Sequence, residues 1–108
     1  MFSQYTLAMD LLEHLARCTG FHWDEGNLLK SWERHGVSAA ECEGVFFNRP
    51  LAAASDEKHS SSEHQFYALG HTDTGRRLFV VFTIRGRLIR VISARDMNRR
   101  ERKAYGAS

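Results

Sequence analysis

A stretch of 108 residues with 43% hydrophobic and 26% charged content suits one globular domain around a single core, and its ordinary composition argues against a low-complexity segment. No apolar run approaches the ~20 residues of a membrane span, and residues 1–20 lack the basic start and apolar block of a secretory leader. The two cysteines, Cys18 and Cys42, read as free thiols of a reducing compartment, so a cytoplasmic protein with no membrane role is expected.

Residues 5–19 place Leu7, Leu11, Leu15 and Cys18 at helical spacing, and Leu12 widens that stripe. Gly20 stands where a helix end accepts a left-handed residue. Residues 1–20 therefore read as a helical extension before a domain over 21–108, with Met9 as an alternative start. Phe21-His22-Trp23 reads as an edge strand and Asp24 as an N-cap. The helix after it carries Leu28, Leu29 and Trp32 on one side, Glu25, Lys30, Glu33 and Arg34 on the other, and stops at His35-Gly36. Ser38 and Glu41 have capping-box spacing for a second helix that buries Cys42, Val45 and Phe46 and ends before Pro50. The two helices are expected to pack back to back.

A strand is expected over 51–54, a polar loop over 55–64, a strand over 66–71 and a turn to Arg76. From Arg77 to Arg85, Leu78, Val80, Phe82 and Ile84 share one strand face. Arg85-Gly86 reads as a two-residue turn, and the return strand 87–94 is apolar on both parities, as interior strands are. Asn98-Arg99-Arg100-Glu101 has capping-box spacing and opens a short helix. The expected fold class is α+β: a small antiparallel sheet with packed helices, in the order β-α-α-β-β-β-β-α after the N-terminal helix.

Charge is polarised along this order. The chain sums to +2, yet residues 85–103 hold eight basic side chains against Asp96 and Glu101, a segment charge of +6 that leaves −4 for the remainder. Such a segment suits a polyanion, an acidic protein partner, or a solvated basic tail. Arg99 and Arg100 sit in the first helical turn, against the macrodipole, which points more specifically to an anion.

Four phrases in order, Phe21-His22-Trp23-Asp24, Arg34-His35-Gly36-Val37, His59-Ser60 with Glu63, and Ile92-Ser93-Ala94-Arg95 followed by Arg99-Arg100-Glu101-Arg102 and Tyr105, resemble the BrnT family. The likeness covers about residues 21 to 105. It implies a RelE-like fold, a ribonuclease toxin of a type II toxin–antitoxin system, an RNA substrate whose cleavage stops translation, and a BrnA-type ribbon-helix-helix antitoxin. Operator DNA would be touched only through the antitoxin complex. Three positions depart from the family pattern. Gln65 stands where a basic residue is common, Ser31 where asparagine is, and Asn98 where Ser or Thr caps the helix.

Metal-free RNA cleavage needs a base for the 2′-hydroxyl, cations for the phosphorane oxygens and an acid for the leaving oxygen. His35, Glu63, Arg95 and Tyr105 are the catalytic candidates, and Arg95, Arg99, Arg100 and Arg102 the phosphate ligands. Each has a plainer alternative: a dipole-favoured helix-end histidine, an exposed carboxylate, antitoxin docking or a solvated face for the arginines, and aromatic packing for the tyrosine. His59, His64 and His71 are spaced five and seven apart, which matches no zinc pattern, so no metal or cofactor is expected. Two functions stay open: an endoribonuclease toxin, and a non-catalytic module that docks an antitoxin through its basic end.

Overall fold

The computed structural model describes residues 11–56 and 63–106. The start of the 5–19 helix, Met9 and the His59-Ser60 pair lie outside them. Residues 11–16 are helical (α1), and are followed by β1 (Gly20–His22), α2 (Glu25–His35), α3 (Ala39–Phe47), β2 (Ala52–Ser55), β3 (Phe66–His71), β4 (Arg77–Arg85), β5 (Leu88–Asp96) and α4 (Arg99–Gly106). The result is a mixed α+β fold, with helices packed on one small sheet.

The strand order is β1-β5-β4-β3-β2. Three of the pairings are antiparallel, but β1 runs parallel to β5, with Phe21 opposite Ile89, so the sheet is mixed where a purely antiparallel one was expected. A parallel pair is possible here because two helices and three strands separate β1 from β5 in the chain, so no hairpin forces the two strands to run antiparallel. β5 is interior, flanked by β1 and β4.

One face of the sheet carries the main core. Leu78, Val80 and Phe82 of β4, Ala68 of β3, and Ile89, Val91 and Ala94 of β5 are buried there against Val37, Cys42, Val45 and Phe46. Phe46 meets Phe82 edge-on at 5.1 Å. Gly70 lets α3 lie directly on β3, since a Cβ there would come within 2.6 Å of Val45 Cγ1. Leu11 of α1 belongs to the same core. The double-sided apolarity of β5 has a second cause besides its interior place. Val81 pairs with Ser93 but Phe82 pairs with Val91, so Ile92 is a bulge that shifts the alternation and lets 89, 91 and 94 all face inward.

Local signals fall where their chemistry requires. Asp24 caps α2 by accepting from the Gly26 amide, and Gly36 ends it at φ 61°. Ser38 and Glu41 form the capping box of α3. Four expectations need correction. Gly20 opens β1 with no left-handed φ, because α1 ends earlier and the Thr19 amide already bonds the Arg87 carbonyl. The two turn residues of the β4–β5 hairpin are Gly86 and Arg87, with φ 61° at Gly86, because Arg85 still pairs with Leu88. Helices α2 and α3 do not pack back to back: α2 lies along β5, and α3 on β3 and β4. Finally, α2 buries only Ser31, while Leu29 and Trp32 are 55% and 58% exposed. Among the described residues no helix is long and apolar enough to cross a membrane.

Candidate nucleic-acid interface

Strand alternation sends a second set of side chains to the opposite face: Tyr67, Leu69 and His71 of β3, Arg77, Phe79, Val81, Thr83 and Arg85 of β4, and Arg90, Ser93 and Arg95 of β5. Helix α4 covers one end of this face, where Leu69, Met97 and Tyr105 form a small separate core with Phe79 against it. Tyr67 and Phe79 stack at 5.6 Å and stay partly exposed beside it.

Helix α4 begins where expected. The Glu101 amide donates to Asn98 Oδ1 at 2.8 Å, and the Asn98 amide donates to Glu101 Oε1 at 2.9 Å. Glu101 also receives a two-pronged bond from Arg95, at 2.7 and 2.9 Å. That bond is the main reason its carboxyl is held below the usual range, and it raises the Arg95 guanidinium in turn. The Arg95 guanidinium lies 4.2 Å from the Phe79 ring centroid and donates to the Asp96 carbonyl as well. A guanidinium has five N–H donors, and three of Arg95's are used in these bonds.

Arg99 and Arg100 are exposed and have no hydrogen-bond or ionic partner among the described residues. Arg102, also exposed, donates to the Met97 carbonyl at 2.8 Å. His35 ends α2 with an exposed side chain. It and Arg102 are both near enough to Asp96 to help lower that carboxyl, after the larger effect of Arg76.

Tyr105 is buried. Its hydroxyl donates to the Pro50 carbonyl at 2.6 Å and meets His71 Nδ1 at 2.8 Å, and burial pushes its pKa up. The Arg77 guanidinium stands 5.9 Å from the same ring. Glu63 lies elsewhere. It takes two bonds from Arg85, at 2.7 and 3.1 Å, which hold its carboxyl down. Arg85 is eight residues along β4 from Arg77, roughly 26 Å at 3.3 Å per residue.

The fold thus gathers Arg95, Arg99, Arg100, Arg102 and Tyr105 on and under α4, with His35 across Asp96, and leaves Glu63 at the far end of the sheet. Two residues acquire weight that the sequence did not signal. His71 had entered only as a failed metal ligand, and Arg76 only as part of a turn. Their partners lie 34 residues away for His71, and 20 to 41 away for Arg76, so no local pattern could announce them. Among the described residues, no three His, Cys, Asp or Glu side chains lie together as metal ligands.

Comparison with known proteins agrees with this architecture. The family described as "Ribonuclease toxin, BrnT, of type II toxin-antitoxin system" matches residues 23–101. Among solved structures, the crystal structure of the Brucella abortus ribonuclease toxin BrnT superposes with a TM-score of 0.54 at 20% identity, covering 75% of this chain and 99% of that one. At that identity the likeness speaks for the fold. No curated protein matches.

Proposed function

The chain belongs to the BrnT family, the ribonuclease toxins of type II toxin–antitoxin systems, and from that premise we propose that it is an endoribonuclease that cuts RNA without a metal and so inhibits translation in the cytoplasm. The observation that carries this reading is the pair Arg99 and Arg100, exposed at the first turn of α4 and without partners among the described residues. Two like charges against the helix dipole are locally unfavourable by a few tenths of a kcal/mol each, roughly, and an RNA phosphate reverses the sign of that term.

In this reading the fold is RelE-like, and the substrate lies across the face that Tyr67 and Phe79 share with the arginines. Aromatic rings beside cations are how proteins hold single-stranded RNA. Arg99, Arg100 and Arg102 take phosphates. Arg95, fixed by Glu101 and Phe79, offers its two remaining N–H groups to a phosphorane oxygen. The 2′-hydroxyl attacks the adjacent phosphorus, with His35 at the border of the cations as a candidate proton carrier and Tyr105 beneath them, its hydroxyl proton held by the Pro50 carbonyl. Glu63, joined to Arg85, belongs to the far end of the RNA path rather than to the reacting phosphate.

A type II toxin has an antitoxin as its partner. We take that partner to be a BrnA-type ribbon-helix-helix protein seated on the same basic surface, with operator DNA contacted through it alone. RNA should then compete with the antitoxin, and simultaneous binding of both would refute the shared surface.

One observation favours the second reading, a docking module without catalysis: Arg95 and Tyr105 already spend much of their hydrogen bonding inside the protein. Incubating the purified protein with RNA decides between them. Cleavage to 2′,3′-cyclic phosphate ends that is lost in Arg99→Ala/Arg100→Ala supports the nuclease. Intact RNA with retained antitoxin affinity supports the module.

A further inference from the structure

The His71–Tyr105 contact carries more information than a packing interaction. A backbone carbonyl only accepts, so the single hydroxyl proton of Tyr105 goes to Pro50. The 2.8 Å contact with His71 Nδ1 is therefore a bond in which the imidazole donates. A neutral imidazole that carries its proton on Nδ1 has its lone pair on Nε2. No described residue bonds that Nε2. Among the described residues the buried side-chain polar atoms without partners are Ser31 Oγ and Arg90 Nε, so His71 Nε2, which is not one of them, reaches solvent. His71 stands opposite Arg77 in the β3–β4 register, and both flank the Tyr105 ring. The sheet thus holds, beside the α4 cations, a proton acceptor of fixed tautomer next to an exposed guanidinium.

Resting on the ribonuclease reading, we propose that His71 Nε2 is the base that takes the 2′-hydroxyl proton, that Tyr105 is the residue positioning it, and that Arg77 grips the phosphate under attack. As the proton passes to Nε2, the O2′–P bond forms and the P–O5′ bond breaks. The leaving 5′-oxygen takes a proton from water and the imidazolium returns its own to solvent. The products are a 2′,3′-cyclic phosphate and a 5′-hydroxyl, with no net proton change.

The test uses the full chain and a short RNA. His71→Asn places an amide nitrogen where Nδ1 was, keeps the bond to Tyr105 and removes Nε2. The expected result is a fall in cleavage rate of about 10²–10⁴-fold with an unchanged thermal midpoint. An RNA with sulfur at the scissile 5′ position, whose thiolate leaves without protonation, should leave that deficit in place; recovery on this substrate would make His71 an acid and overturn the assignment. Tyr105→Phe should lower the rate by a smaller factor through kcat rather than KM, and ¹⁵N spectra should show proton density moving from Nδ1 to Nε2. If His71→Asn fails to fold, His71→Ala with added imidazole replaces it: rate recovery supports the base, and no recovery overturns it. A wild-type protein that leaves RNA intact overturns both readings. A wild-type nuclease whose His71→Asn variant is equally fast overturns this one alone.

Discussion

Arg76 and the Arg99–Arg100 pair are the same kind of side chain in opposite circumstances. Arg76 uses all five of its N–H donors: two on Asp96, one on Glu41, and one each on the carbonyls of Gly36 and His35. It ties the end of α2, the start of α3 and the end of β5 to the β3–β4 turn. Arg99 and Arg100 are tied to nothing described. What separates a structural arginine from a binding arginine is whether its donors are already filled. Charge counting cannot see this: Arg76 falls outside the basic segment, and Arg95, at its centre, is largely committed to Glu101.

The contrast should break open most widely under Arg76→Ala. Removing a partly buried guanidinium strands two carboxylates and two carbonyls, at a cost of about 2–4 kcal/mol, discounted for its partial exposure. In a domain of this size that lowers Tm by on the order of 10–20 °C, and a urea titration would measure it. Arg76→Lys should recover little, because an ammonium cannot make the fork to Asp96. A variant within 0.5 kcal/mol of wild type, roughly the spread of neutral surface changes, would refute the clamp.

Arg99→Ala/Arg100→Ala should behave in the opposite way. RNA affinity should fall, and the slope of log affinity against log salt should shrink by about 1.4, or 0.7 per lost phosphate contact. Stability should hold or rise by a few tenths of a kcal/mol, since two charges opposing the helix dipole are gone. Salt-dependent binding alongside urea unfolding separates the two effects.

Acid gives a smaller test. Hydrogen bonds and cations hold Asp96, Glu41 and Glu101 below the ordinary carboxylate range, Arg76 being the chief cause at Asp96, the Ser38 amide at Glu41 and Arg95 at Glu101. Because their folded-state pKa values are depressed, their stabilisation is complete above the unfolded value near 4 and is lost as pH falls through the lower folded values. A Tm series from pH 7 to 3 should decline at the acid end. That decline should be shallower in Arg76→Ala and unchanged in Arg99→Ala/Arg100→Ala.

Features encoded within a few residues were legible in the sequence. The caps at Asp24, Ser38 and Asn98, the stop at Gly36 and the alternation of β4 all follow from backbone valence and side-chain period. They appear in the structure within a residue or so. The errors lie where a local pattern was asked a long-range question. Leu28, Leu29 and Trp32 form an apolar stripe, but α2 runs along β5 and turns Leu29 and Trp32 outward. Glu63 and Tyr105 looked like members of one site, yet β4 holds their partners Arg85 and Arg77 at opposite ends.

The sequence by itself determined the mixture of helices and strands, their caps and the accumulation of positive charge toward the C-terminus, because periodicity, capping and net charge are properties of neighbours in the chain. Tertiary structure alone decided which arginines are filled and which are open, which histidine nitrogen faces solvent, and that β1 joins the sheet in parallel. Each of these depends on a hydrogen-bond partner many residues away. A donor's availability is settled only when the fold brings, or fails to bring, an acceptor within about 3 Å.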